Sequence, residues 1–225
     1  MKKIVFILMA MLMAVIPSTA QNYKHSKYYN QKTGHLDYGF KNKGVDTYYG
    51  IRIGPGFSYI TSDDSRLDGG DWQTGLNVGV VAGFPLTYSD PLYLETGLYY
   101  IEKGGKKSLG GGKKMTYDLN YLEIPVVVKY KYEIDDDLTI EPFAGGYFAA
   151  GVGGKIKNFA EREAQSSFRS NNFRRLDGGL RIGCGIGYDM FYADLTYDLG
   201  LANICHDTFD KARNRAVMLN FGVNF

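Results

Sequence analysis

The stretch Tyr49-Gly50-Ile51-Arg52-Ile53-Gly54-Pro55-Gly56-Phe57-Ser58-Tyr59 decides the fold. In an extended chain, Tyr49, Ile51, Ile53, Pro55, Phe57 and Tyr59 share one face, and Gly50, Arg52, Gly54, Gly56 and Ser58 share the other. Period two marks a strand with two unlike faces. A soluble ligand-binding barrel turns its bulky apolar face inward and its polar face to water. Here the second face is too small and too charged for a greasy cup and suits a narrow polar interior. The first face suits contact with lipid, with aromatic residues near its ends.

Seven further segments repeat the scheme, at 75–84, 92–100, 121–130, 139–152, 180–188, 191–199 and 217–225, with the weakest contrast in 139–152. The reading is all-β: an eight-stranded antiparallel up-and-down transmembrane β-barrel. Connection lengths agree with it. The joints at 85–91, 131–137 and 189–190 are short, and those at 61–72, 103–115, 154–176 and 202–213 are longer. Short periplasmic turns and long external loops are the pattern of outer-membrane barrels, and an even strand count returns both termini to the periplasm. A soluble β-sandwich, whose strands also alternate, is the competing architecture.

Composition narrows the class further. Among 225 residues are 29 glycines and 19 tyrosines, which suit strands and tight turns, and 44% are hydrophobic, which disfavours disorder. Two cysteines in so long a chain exclude a disulfide-stapled miniature fold. Lys2 and Lys3, the apolar run 4–16 and Ser18-Thr19-Ala20 read as a signal peptide over 1–20. A polar periplasmic segment at 21–47 and a barrel domain at 48–225 follow. Without the two signal lysines the chain carries 24 basic and 24 acidic side chains, and nothing in that balance points to nucleic acid.

The run Tyr121-Leu122-Glu123-Ile124-Pro125-Val126-Val127-Val128-Lys129-Tyr130, the preceding Leu94-Glu95-Thr96-Gly97-Leu98 and the terminal Phe225 resemble the PorT-like outer-membrane β-barrel family. The resemblance covers residues 48–225 and is most specific at Leu122-Glu123-Ile124-Pro125. It implies an eight-stranded barrel in the outer membrane of a Gram-negative bacterium. It also implies insertion by the barrel assembly machinery through a last strand whose signal is Phe221, Val223 and Phe225. Some relatives of that family assist secretion across the outer membrane, so an envelope or secretion protein is an implied partner beside outer-membrane lipid.

Eight charges fall on the inward face: Arg52, Glu95, Glu123, Lys129, Glu141, Arg181, Asp194 and Asp198. Unpaired charge in such an interior is costly, so they need partners. A two-residue turn at Asp189-Met190 sets Arg181 opposite Asp198, and similar counting gathers Glu95, Lys129 and Glu141 near the periplasmic end. A lattice that locks strand register is the simpler account of these charges, and a proton or ion pathway the sharper one. Eight strands leave an interior that side chains fill, which disfavours a diffusion porin.

Function is therefore expected on the outside, in a non-enzymatic structural or interaction module. Lys103, Lys106, Lys107, Lys113 and Lys114 surround paired glycines and form a cationic external loop that is either simply solvated or meets lipid phosphates. Loop 154–176 mixes Glu161, Arg162, Glu163, Arg169, Arg174 and Arg175 with Phe159, Phe168 and Phe173, a composition compatible with docking a protein. The alternatives are an outer-membrane enzyme acting on lipid or peptide at these loops, or a narrow channel. Catalysis requires a nucleophile beside a base. Of three histidines, His25 and His35 precede the barrel, and His206 lies beside Asp207 and Cys205 without a motif. No catalytic residue, cofactor or metal ligand set is assigned. Cys184 is expected to face lipid and Cys205 to lie in the last external loop.

Overall fold

The computed structural model describes residues 47–63, 71–87, 90–108, 114–135, 137–157, 165–168, 173–205 and 211–225. The expected signal peptide, the polar segment up to residue 46, and the loop residues Lys113, Phe159, Glu161, Arg162, Glu163, Arg169 and His206 lie outside that set.

Eight long strands close into one antiparallel barrel: β1 (Tyr48–Ser62), β2 (Gln73–Pro85), β3 (Leu92–Ser108), β4 (Lys114–Tyr130), β6 (Leu138–Gly153), β9 (Leu176–Tyr188), β10 (Phe191–Gly200) and β11 (Ala212–Asn224). Three short strands, β5 (Tyr132–Asp135), β7 (Lys155–Lys157) and β8 (Gln165–Ser166), lie along the joints. Each long strand pairs with its successor, and the last closes on the first through Gly50↔Asn224 and Ile53↔Phe221. Closure leaves no open edge among these eight, the arrangement that satisfies every backbone group in lipid.

The two faces separate as the alternation requires. On β1, Tyr49, Ile53 and Phe57 are exposed while Gly50, Arg52, Gly54, Gly56 and Ser58 are buried. From Tyr49 to Tyr59 the outward face stays apolar for ten steps of about 3.4 Å. Tilted by about 40°, that run rises about 26 Å, the height of a bilayer's hydrocarbon layer. Outward residues of the neighbouring strands stop being apolar at a similar level, at Thr74, Glu102, Asn120 and Arg215.

One end of the barrel holds the short turns, including a tight reversal at Asp189, whose φ of 52° lies in the left-handed region. The other end is taller. β3 and β4 have 17 residues each, against the nine to eleven or so needed to cross a bilayer, so their hairpin stands beyond the apolar band. Residues 103–108 and 114–115, expected within a loop, are therefore strand. Within β3, Gly104 has a φ of 149°, which suits glycine, and its position leaves no room for a Cβ against the Tyr117 carbonyl.

Inward glycines make room for aromatic rings. The ring of Tyr48 covers Gly83 directly across the strand pair, Tyr99 covers Gly79, and Phe143 covers Gly183. Ring over glycine is a recurrent way to strengthen a strand pair that lacks a side chain. At the tall end, Ile60, Met115, Tyr117, Leu119, Tyr121 and Ala212 of the strands pack with Phe168, Phe173, Ile204 and Cys205 of the loops into an apolar cap. The loops are tied down by the Phe173↔Cys205 bridge, by Arg174 N donating to Ile204 O at 2.7 Å, and by Ser167 Oγ donating to Asp118 O at 2.6 Å. Phe168 and Phe173 are thus spent on the cap and do not form a docking surface, and Cys205 is buried beneath it. Cys184 is exposed on the outer wall.

Candidate functional site

The inward face of every long strand delivers polar side chains to the lumen, where they meet in layers. In the middle layer Lys103 Nζ lies 2.7 Å from Glu123 Oε2 and 2.9 Å from Asp198 Oδ2. Arg181 binds Asp198 through Nε at 2.7 Å and Nη2 at 2.9 Å, and its Nη2 also pairs with Glu123. Two cations and two carboxylates thus form a closed ring of charge-assisted bonds, with side chains at most 6% exposed. Rings add to it, with Lys103 Nζ 4.2 Å from the Tyr147 centroid.

A second layer lies toward the short-turn end. Lys129 Nζ is 2.7 Å from Glu95 Oε2, 3.4 Å from Glu141 Oε2, and donates to Tyr192 Oη at 2.9 Å. Tyr48 Oη donates to Glu95 Oε2 at 2.5 Å. Arg52 makes no ion pair among the described residues. Its guanidinium lies 4.0 Å from the Tyr192 ring centroid and donates to Asn224 Oδ1 at 2.6 Å. Between the layers, Asp194 Oδ1 accepts from Thr196 Oγ1 and Asn220 Nδ2, each at 2.7 Å, and Asn77 Nδ2 donates to Asn220. Among the described residues, Asp194 is held by neutral donors and not by a cation.

The structure therefore brings Arg181 to Asp198, and Glu95 and Glu141 to Lys129. Glu123, inward but without an assigned partner in the sequence, completes the middle ring. Lys103 is a correction: grouped above with the external lysines, it points into the barrel and is 1% exposed. The signal was available, because continuing the alternation Tyr93, Glu95, Gly97, Tyr99, Ile101 places Lys103 inward. Of the other lysines, Lys106 and Lys107 are half-buried on the β3 end of the hairpin and Lys114 opens β4. Phe221 is exposed and Val223 half-buried on the strand that closes the barrel, and Phe225 is exposed. Tyr147 and Tyr192 fall on the inward face of their strands by the same alternation and are buried in the lumen, whereas Tyr48, just before the first alternating stretch, carries no such sign and joins them.

The bonds join walls that face each other. Around the ring β1-β2-β3-β4-β6-β9-β10-β11, β3 and β10 stand four places apart, as do β4 and β11. Lys103 to Asp198 spans the first pair, and Asn214 Nδ2 donating to Tyr121 Oη at 3.3 Å spans the second. Chemically such a lumen can hold its walls in register and exclude solute.

Residues 46–206 match the family model described as outer membrane protein beta-barrel domain. The chain belongs to that family. This outer-membrane barrel is also similar to solved structures. One is Ail, the attachment invasion locus protein of Yersinia pestis, in complex with the heparin analogue sucrose octasulfate: 17% identity over 80% of this chain and 99% of that one, TM-score 0.42. Others are OprG from Pseudomonas aeruginosa, at 14% identity over 82% and 98% with TM-score 0.47, and LpxR from Salmonella typhimurium, at 10% over 80% and 99% with TM-score 0.31. No curated protein matches the chain. For an outer-membrane barrel the apolar outer wall is the lipid surface, and Cys184, Leu195 and Val78 lie on it.

Proposed function

We propose that the protein is a non-enzymatic structural or interaction module of the outer membrane, which works through its tall end and conducts nothing through its lumen. The observation that carries this reading is the cross-lumen bonding of Lys103 to Asp198. A lumen whose opposite walls are close enough to share a buried ion pair is one that side chains fill, so chemistry with other molecules falls to its outer surfaces.

The tall end faces outside and both termini face the periplasm in this reading. Rim charge supports that orientation. The short-turn segments 85–91, 131–137 and 189–190 hold six acids against Lys131 alone. The opposite joints, Lys103 aside, hold thirteen bases against eight acids. A basic rim suits the phosphate-rich outer leaflet of such a membrane. Barrel assembly machinery acts on β11, whose outward Phe221 and Val223 lie on the closing strand. The Leu122-Glu123-Ile124-Pro125 element supports kinship with the PorT-like group, and with it a role in secretion or envelope assembly through a protein partner.

A photo-crosslinking residue placed at Lys106 or Lys155 in living cells tests the interaction reading. A discrete protein adduct formed from these sites, and not from Tyr132 at the opposite end, is expected. Absence of any adduct from the tall end, or a lipid product lost in His206→Ala, would overturn it.

A further inference from the structure

The outer wall of β9, β10 and β11 carries a feature that the lumen does not explain. Along β11 the outward residues run Phe221, Leu219 and Val217, and then change abruptly to Arg215 and Arg213, with Lys211 following. Arg215 stands opposite Tyr59 of β1 and Leu199 of β10, and Arg213 opposite Thr61. The arginines therefore sit where the apolar band ends, at headgroup depth. The Arg215 fork is fixed by Nη1 donating to Gly200 O at 2.7 Å. Tyr59 packs on Trp72, centroids 4.7 Å apart, and Trp72 is 51% exposed. Among the described residues no carboxylate pairs with Lys211, Arg213 or Arg215. The nearest acid by register, Asp63, meets Lys211 through its backbone N–H.

Directly below lies a groove of about 380 Å³ lined by Ile182, Cys184, Leu195, Tyr197 and Val217, with Gly183 and Thr196 at its floor. Val217 is the outward residue next to Arg215 on the same strand, and Tyr197 is its cross-strand partner. A cationic, hydrogen-bonding patch at headgroup depth thus continues into an apolar trough at acyl depth. Arginine's planar fork matches phosphate oxygens, and tryptophan and tyrosine prefer the interface between the two media.

We infer that this wall is a binding site for one phosphorylated, acylated lipid of the outer leaflet. Its phosphate lies on Arg213, Arg215 and Lys211 beside Tyr59 and Trp72, and one acyl chain lies in the groove over Gly183. The inference rests on the orientation given above, and on no protein partner.

The test uses the full mature chain in phosphatidylcholine nanodiscs doped with diphosphoryl lipid A, with retained lipid counted by native mass spectrometry. Each cation at a charged lipid surface contributes about a fivefold factor, so Arg213→Ala with Arg215→Ala predicts roughly 25-fold weaker retention. Lys155→Ala with Lys157→Ala, on the same rim but another wall, retains lipid A as wild type does. Arg215→Lys, which keeps the charge, loses less than Arg215→Ala, and heat-modifiable gel mobility verifies that each variant is folded. Trp72, the only tryptophan, is quenched by brominated chains of phosphatidic acid more than by those of phosphatidylcholine. Wild-type retention by the double arginine variant overturns the site. So does equal loss in the two lysine variants, which would mean diffuse charge, or inorganic phosphate binding as tightly as lipid A, which would mean no acyl contribution. Nanodiscs present the same lipid on both sides, so a failed orientation or a missing protein partner leaves this result unaffected.

Discussion

Lys103 Nζ and Asp198 Oδ2 are 2.9 Å apart, although their strands stand on opposite walls of the barrel. The same ammonium binds Glu123, so one side chain from the tall hairpin ties three strands across the lumen. Removing the cation strands two carboxylates with only Arg181 between them. Breaking a buried pair in this way typically costs about 3–5 kcal/mol. Lys103→Met is expected to lower urea-induced unfolding stability in lipid by that amount. Adding Asp198→Asn to the same chain is expected to recover part of it. An unchanged midpoint in Lys103→Met would refute the ring.

Phe143 occupies the space above Gly183 that a Cβ would need. Gly183→Val forces that ring out of its place, an overpacking expected to cost about 1–3 kcal/mol. Gly146, on the outer face, is less constrained, so Gly146→Ala is the matched control. Comparable unfolding midpoints for the two variants would contradict the ring-over-glycine packing.

At the short-turn rim, Lys131 Nζ lies 3.6 Å from the Tyr48 ring centroid and 4.6 Å from that of Tyr93. Burial pushes its ammonium down to about 8, with Lys129 and Arg52 adding to the shift while Glu141 and Glu95 oppose it. The unfolded chain keeps the ordinary lysine value, so between the two the barrel binds fewer protons than the unfolded state. Stability contributed at Lys131 therefore rises as pH climbs from about 8 toward 10.4. Unfolding wild type and Lys131→Met across that window should show the wild type gaining relative to the variant. Parallel curves would remove the effect.

The two cysteines report on the two sides of the wall. Cys184 is exposed to the lipid side and Cys205 is buried beneath the apolar cap. In proteoliposomes, Cys184 should react with an apolar maleimide and resist a charged one, while Cys205 should react with neither until the barrel unfolds. Rapid modification of Cys205 by a charged maleimide would show that the cap is open.

How much of this was legible in the sequence depended on periodicity. Arg181 and Asp198 meet because a two-residue turn fixes every pairing after it. That turn lacks Asn-Gly, but Asp189 takes the left-handed conformation that the reversal needs, and Asp tolerates it better than most residues. Lys103 is hard to place for a related reason: the outward face of β3 turns polar at Glu102, where its lipid contact ends, although pairing continues to Ser108. Phe168, Phe173 and Cys205 were illegible, since a loop that folds back on a barrel mouth leaves no period in the chain. The basic border at Arg213 and Arg215 was also passed over, because the apolar alternation of β11 begins only after it.

Conductance tests the central claim most directly. Purified barrel inserted into a planar bilayer, with insertion verified by protease protection of its strands, is predicted to leave the membrane at its baseline current across the voltage range. Lys103→Met, which breaks the ring, is predicted to admit rare, small steps. Steady ohmic current through the wild-type protein would mean that the walls do not meet at Lys103 and Asp198, and would contradict the account.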